Sequence, residues 1–520
     1  MHDTISGNQS SATAAEDDDL GESGSLVSPS DLVRCAEVLE AIDADRGLLA
    51  AVDDEQRTRL LKAAGLVSVP GHRELRKLRK EQARKRRQAK READAALLER
   101  TGIRAARTAA VFATPGRDAP RQLEPSDAPH EELSEERGCY VCKTSFRTLH
   151  PFYDSMCGEC GDFNWTKRTQ SADLSGRVAL VTGSRVKIGY QAGIKLLRAG
   201  CRLIVTTRFP VDAAARYAAE NDFSDWKDRL QIYGLDLRHT PSVEAFCQGL
   251  LRTESRLDFI INNACQTVRR PPGFYAHLMD GERDLRARLD TAGQALVAAE
   301  APDGRGAPAV RKEGPLDALS GGAAELSQIA LLPEDLDSSV QLFPDGALDA
   351  DLQQRDLRTT NSWRLMLDEV PAVELLEVHL VNAVAPFVLN ARLKPLMLKV
   401  ASRDKHIVNV SAVEGQFYRT FKTARHPHTN MAKASLNMMT RTSAPDYVRD
   451  GIHMNSVDTG WVTDEDPVHH ADRKREEHGF HPPLDIVDGA ARIVDPIFSG
   501  LNTGEHLWGR FLKDYKPTDW

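Results

Sequence analysis

Residues 177–190 read RVALVTGSRVKIGY. An apolar run enters a turn carrying Gly183 and Gly189, and a helical pattern follows. This order brings backbone N–H groups and a helix N-terminus to one point, where unpaired amides and the helix dipole favour a dinucleotide pyrophosphate. Thr182, Gly183, Ser184, Arg185, Lys187, Ile188 and Gly189 are the candidate cradle. Turns need glycine for positive φ whatever they bind, so the neighbouring segments decide.

Leu203–Thr207 reads as a buried parallel strand ending at Arg208. In a doubly wound sheet this end meets the adenosine ribose, where a carboxylate binds a 2′-hydroxyl and an arginine favours a 2′-phosphate, so Arg208 points to NADP over NAD. Gln231–Leu237 is a third strand with Asp236 at its acidic end. Leu257–Ile261 is a fourth, closed by Asn262, Asn263, Ala264 and Cys265. Strand and helix patterns alternate over 172–520, which predicts an α/β, Rossmann-type doubly wound parallel sheet. An insertion, 266–372, interrupts it, with a Gly-, Ala- and Pro-rich middle. The insertion leaves from the carboxyl edge of the sheet, so Arg269–Tyr275 and Asp356–Trp363 either cover a ligand or pack on the sheet edge.

These segments resemble the short-chain dehydrogenase/reductase family, whose glycine turn is Thr-Gly-x-x-x-Gly-x-Gly; Lys187 stands at the middle glycine. Asp236-Leu237 is similar to the family's adenine-side pair. Asn262-Asn263-Ala264 is similar to its Asn-Asn-Ala-Gly, with Cys265 replacing the glycine. Asn382, in VNAVAPF, matches the asparagine of the catalytic tetrad. Ile407–Ser411 and Gly451–Val457 resemble the fifth and sixth strands, and Gly460–Thr463 the segment that closes on the nicotinamide. The resemblance covers 172–515 without the insertion. It implies an NAD(P) site that also uses Leu237, Asn263, Ala264, Lys433 and Thr463.

The chemistry departs from that pattern. The family uses a tyrosine, a lysine four residues later and a serine. Lys433 is retained, but Thr429 takes the tyrosine's place and Ala412 the serine's. Ser411 is one residue off and by alternation faces the other side. A phenol titrates near ~10 and an aliphatic hydroxyl far above it, so Thr429 is a poor general acid. His428, then His426 and Tyr418, are the candidate replacements, since imidazole titrates near ~6.5; the His-Pro-His run reads equally as a polar loop. The resemblance thus implies an atypical NADPH-preferring oxidoreductase acting on a small carbonyl or alcohol. The alternative is a non-catalytic NAD(P)-binding sensor or scaffold.

Cys139-x-x-Cys142 and Cys157-x-x-Cys160 form two knuckles within 136–170, a zinc-ribbon-like module. Four thiolates at this spacing close a tetrahedron about zinc and leave no open position, so a structural role follows. Cys35, Cys201, Cys247 and Cys265 are expected to be buried small hydrophobes.

The chain has 520 residues and a net charge of −8, which allows several domains and says little about partners. Residues 1–28 are polar and acidic and read as a disordered tail without a leader segment. No apolar run near ~18 residues suggests a membrane span. A cytoplasmic protein with reduced thiols is the expectation. Residues 29–107 read as helical, with Ser30 capping a helix that carries Leu32, Val33, Val38 and Leu39. The 72–91 helix is basic, centred on Arg84–Arg87, with Leu75 and Leu78 as its apolar residues. A solvated helix is preferred there to a nucleic-acid contact, since no aromatic is interleaved. Residues 108–135 read as a linker. Homo-oligomerisation stays open.

Overall fold

The computed structural model describes residues 27–117, 132–289, 291–297, 322–418 and 422–520. Most of the expected tail, much of the linker and the Gly-, Ala- and Pro-rich middle of the insertion lie outside them. The described residues form two compact units, divided after Ala89.

In the first unit, helix Pro29–Ala44 is capped by Ser28 and not by Ser30. The Ser28 hydroxyl accepts from Asp31 N at 3.2 Å, and the Asp31 carboxylate accepts from Ser28 N at 2.8 Å. Pro29 is the reason, because its fixed φ suits the first helical position and makes the preceding residue the cap. Helix Asp54–Ser68 follows, and a third begins at His72 and runs to Glu99. Leu32, Val33, Val38 and Leu39 remain exposed, as does the basic stretch.

The second unit begins with a hairpin, β1 (Glu132–Gly138) and β2 (Ser145–Thr148), which leads through both cysteine knuckles into helix Gly158–Thr169. The main sheet holds β3 (Val178–Thr182), β4 (Arg202–Thr207), β5 (Leu230–Gly234), β6 (Phe259–Asn262), β7 (Lys405–Ser411), β8 (Ile452–Asp458), β9 (Phe511–Lys513) and β10 (Lys516–Thr518). Their order is β10-β9-β8-β7-β6-β3-β4-β5, parallel except for the β9–β10 hairpin. β3, β7 and β8 are buried along their whole lengths, as expected of parallel strands covered on both faces. Helices Lys187–Arg198, Pro210–Ala218 and Ile486–Thr503 pack on one face around Leu197, Tyr217 and Ile493. Helices Thr240–Thr253, Ala385–Leu398 and Pro427–Tyr447 pack on the other around Leu250, Leu389 and Tyr447. The strand order reverses between β3 and β6, so a crevice opens there at the carboxyl ends.

Two expectations need correction. The helical run Ala372–Leu398 is long and apolar enough to cross a membrane by length and composition. It is nevertheless half-buried on the sheet, with Val388, Leu389, Leu393 and Met397 in the core, because a helix covering a parallel sheet must itself be largely apolar. Cys201 and Cys247 are buried, but Cys35 and Cys265 are exposed: Cys35 lies on a helix with no buried residue and Cys265 at a strand end.

At the opposite end of the strands, His406, His453 and His506 form a cluster, with His406 Nε2 and His506 Nδ1 3.0 Å apart. Burial, then mutual repulsion, holds His406 far below the ordinary imidazole value, and burial lowers the other two. The hydrogen bond of His453 to Arg403 O and the Asp404 charge oppose the shift, whereas the charges of Arg177 and Arg403 add to it. Folded-state values below the unfolded one mean that the protein gains from the neutral rings above about pH 6.5 and loses that gain as pH falls through it. The urea midpoint is expected to drop between about pH 7 and about pH 5, and His406→Gln to make that drop shallower.

Candidate functional site

A cleft of about 1170 Å³ lies along the carboxyl ends of the strands, bordered by Gly183, Thr207, Leu235, Asn263, Ser411 and Asp458. The glycine turn forms its floor. Gly183 has φ +67°, and a Cβ there would lie 2.8 Å from Ala264 Cα; a Cβ on Gly189 would lie 2.3 Å from Gly183 O. Lys187 has φ +56°, so it adopts the left-handed backbone that glycine would supply. Asn263 Nδ2 donates to Thr182 O at 3.0 Å and Gly183 O at 3.1 Å, and Ala264 N donates to Thr182 Oγ1 at 3.0 Å. Gly183, Lys187, Ile188, Gly189, Asn263 and Ala264 border the cleft. Thr182 and Ser184 instead work inside the turn, with Ser184 Oγ donating to Gly189 O at 2.6 Å. Arg185 also reaches the cleft, but its guanidinium is bonded to Asp212 and Gln353, both at 2.6 Å.

At the end of β4, Arg208 donates to Tyr275 Oη at 2.6 Å, its guanidinium carbon 4.4 Å from that ring's centre. Among the described residues it makes no ion pair within 4 Å, though its charge helps to hold the Asp236 carboxyl down. Asp236 is engaged by Arg238 at 2.7 Å, which also binds Glu377 at 2.9 Å. Burial works against ionisation of Asp236, but the Arg238 hydrogen bonds outweigh it and hold the carboxyl below its usual range. Leu237 borders the cleft beside it, as do Arg270, Tyr275, Trp363 and Arg364 from the insertion. Both ends of the insertion therefore form cleft wall.

Lys433 borders the cleft, with Nζ donating to Val410 O at 2.8 Å. Asn382 lies in a π turn, Leu380–Val384. Its amide closes on one backbone, Oδ1 accepting from Gln266 N at 2.8 Å and Nδ2 donating to Gln266 O at 3.0 Å. Ala412 borders the cleft and so does Ser411, against the alternation expected, because β7 ends at Ser411. Thr429 is buried with no hydrogen-bond partner for Oγ1 and lies off the cleft. His428, the first replacement expected, is also misplaced: it is buried off the cleft with Nε2 3.2 Å from Glu374 Oε1. The helix that carries it turns that side toward helix Ala372–His379. Tyr418 is 91 % exposed and off the cleft.

His426 does border the cleft. Its backbone has φ +44°, its ring stacks on Trp363 at 3.9 Å, and its buried Nδ1 has no partner. Burial lowers its pKa, with Glu414 opposing. Sequence reasoning missed Asp458, which accepts from Val413 N at 3.1 Å and Gly460 N at 3.2 Å. Burial, then Glu414, pushes its carboxyl up to about 6; an acid ending a buried strand was the available signal. Tyr140, from the first cysteine knuckle, was missed too and had no such signal. Thr463 borders the cleft and donates to Glu465 at 2.6 Å.

The sulfurs of Cys139, Cys142, Cys157 and Cys160 all lie within 4.8 Å of one another, with Cys142 and Cys157 3.7 Å apart. A metal–sulfur bond of ~2.3 Å in a tetrahedron requires edges of ~3.8 Å, so this donor set fits a thiophilic ion. Hydrogen bonds from Thr144 bring the Cys142 thiol down to about 6. The module is anchored by Arg168, which binds Asp485 at 2.6 and 2.8 Å and Asp488 at 2.9 Å, and by Tyr153 Oη, which donates to Asp488 at 2.6 Å.

Residues 177–278 match the family model described as short chain dehydrogenase, and residues 364–481 the model described as Enoyl-(Acyl carrier protein) reductase. The chain is similar to an uncharacterized protein of Acanthamoeba polyphaga mimivirus, 32 % identical over 379 residues covering 70 % of this chain and 71 % of that one. It is also similar to retinol dehydrogenase 11 of Homo sapiens, 31 % identical over 114 residues, which cover 21 % of this chain and only 36 % of that enzyme. A solved Pseudomonas aeruginosa RhlG/NADP active-site complex has a TM-score of 0.41 at 18 % identity, covering 65 % of this chain and 95 % of that one.

Lys187→Gly is expected to raise the unfolding free energy by about 1 kcal/mol, since the left-handed backbone no longer carries a Cβ. Gly189→Ala should lower it by about 1–3 kcal/mol through overpacking; chemical denaturation measures both. Metal analysis of the purified protein should find one thiophilic ion per chain, lost in Cys157→Ser.

Proposed function

The chain belongs to the short-chain dehydrogenase family, and from that premise we propose an NADPH-preferring oxidoreductase that moves a hydride to or from a small carbonyl or alcohol. Arg208 carries the coenzyme preference. A guanidinium held against a ring, with no ion pair within 4 Å among the described residues, is matched to a ribose 2′-phosphate. Gly183, Lys187, Gly189 and the helix they begin would hold the pyrophosphate, and Lys433 a ribose hydroxyl. The bound nicotinamide supplies or accepts the hydride.

The proton is assigned to His426 in place of Thr429 and His428. The residue borders the cleft, and the Trp363 stack fixes its ring. As imidazolium it is the acid for reduction, and as imidazole the base for oxidation. Asp458 is a poorer donor, since both its oxygens accept backbone amides. The cysteine centre is assigned to zinc in a closed, structural role. The burial of Thr429 off the cleft favours a second reading, a dinucleotide-binding sensor without turnover.

Fluorescence titration with NADPH and NADH, followed by a screen of aldehydes and ketones, separates the two. NADPH should bind more tightly, and Arg208→Ala should cost it about 10- to 100-fold while leaving NADH little changed. Lys433→Ala should abolish turnover. With its pKa held below ~6.5, His426 should make reduction faster as pH falls from about 8 to about 6, and His426→Gln should flatten that profile. Saturable binding without turnover across the panel would establish the sensor; no binding of either coenzyme would end both readings.

A further inference from the structure

Tyr140 sits between the two ligands of the first knuckle, and it leaves the cysteine module to border the cleft together with Lys143. Its hydroxyl accepts a hydrogen bond from Trp461 N at 3.0 Å. It also lies against Gly460, whose φ is +75° and where a Cβ would come within 3.1 Å of the phenol oxygen. The loop it touches, Gly460–Thr463, runs on from Asp458 at the end of β8 and forms part of the cleft rim. Around the phenol, Val462, Leu484 and Ile486 pack with the module's Phe146, Tyr153 and Met156.

The Tyr140 ring is held by that cluster and by Lys143 and Lys513, whose ammonium groups lie 5.2 and 5.7 Å from its centre, whereas the knuckle it stands on is held chiefly through its cysteines. Within the knuckle, Cys139 N donates to Thr144 O at 2.9 Å and Lys143 N to Cys139 O at 3.1 Å, while Tyr140 N reaches across to Ser155 O at 2.8 Å. Cys139 is buried, but Cys142 and Lys143 on the far side of the knuckle are exposed, and Lys143 has φ +66°, so that side of the loop has little burial to hold its shape. A tetrahedral ion would clamp it by joining Cys139 and Cys142 to the second knuckle.

We propose that Tyr140 is a positioning residue through which the metal-loaded cysteine module sets the Gly460–Thr463 rim, so that coenzyme affinity depends on an ion that never meets the coenzyme. The affinity part rests on the function proposed above; the Tyr140–rim tie does not. The phenol takes no part in proton transfer, and what it contributes is an acceptor for one backbone N–H at a fixed place.

Hydrogen exchange followed by mass spectrometry tests the tie on the full chain in three forms: metal-loaded wild type, metal-loaded Tyr140→Phe, and wild type stripped with a mercurial and EDTA. Tyr140→Phe keeps the ring and removes the acceptor. Peptides spanning 458–466 should exchange roughly two- to tenfold faster in this variant, with β3 and β7 unchanged and metal content intact. The stripped protein should show the same acceleration, and stripping the variant should add little. NADPH affinity should fall by a similar factor in both. Unchanged exchange over 458–466 in metal-loaded Tyr140→Phe would overturn the proposal, as would a stripped protein that keeps wild-type exchange there. A chain that bound no dinucleotide would refute the oxidoreductase reading, while the exchange comparison would still decide the tie.

Discussion

The cleft depends on one lock at the switch point of the sheet. Asn263, just past β6, donates through one amide to two successive carbonyls at the end of β3, while Ala264 N donates to the Thr182 hydroxyl. Strands diverge at this point because their helices leave on opposite faces, and unpaired backbone groups would otherwise be exposed at the crevice floor. One amide side chain satisfies them and holds the two segments so close that a Cβ would fall 2.8 Å from Ala264 Cα at Gly183 and 2.2 Å from Asn263 Nδ2 at Gly189. Floor, cradle and the direction of the following helix are thus fixed together.

A second constraint joins the cysteine module to the sheet. Arg168 is buried between Asp485 and Asp488, and Tyr153 completes the set. Arg168 draws the Asp485 carboxyl below its usual range against burial, whereas burial and Asp485 push Asp488 up. Such a group is costly to desolvate and, once formed, costly to break by removing one member. Its consequence is geometric: both aspartates lie at the start of helix Ile486–Thr503, whose N-terminal end is thereby fastened to the module.

Helix Pro427–Tyr447 buries Thr429 and leaves Lys433 on the cleft. The insertion brings Trp363 back over His426, and the module brings Tyr140 to the rim. Aromatic groups from three separate segments thus wall the site.

Sequence alone determined the sheet, since parallel strands buried on both faces must read as apolar runs and the glycine turn and Asn-Asn-Ala sit at fixed strand ends. It likewise determined that four cysteine sulfurs gather at one point, because knuckle spacing is local. It placed the helix cap at Ser30 where the structure has Ser28, and it ranked His428 before His426 where only His426 borders the cleft, for the same reason in both cases: a proline at the helix start decides which residue stays outside the helix and which is carried round it. Only the tertiary structure decided that Arg185 is neutralised by Asp212 while Arg208 is held by the Tyr275 hydroxyl, that Asn382 closes on Gln266, and that Tyr140 reaches Trp461. Each of these depends on contacts between residues distant in the chain, and no periodicity or spacing carries that information.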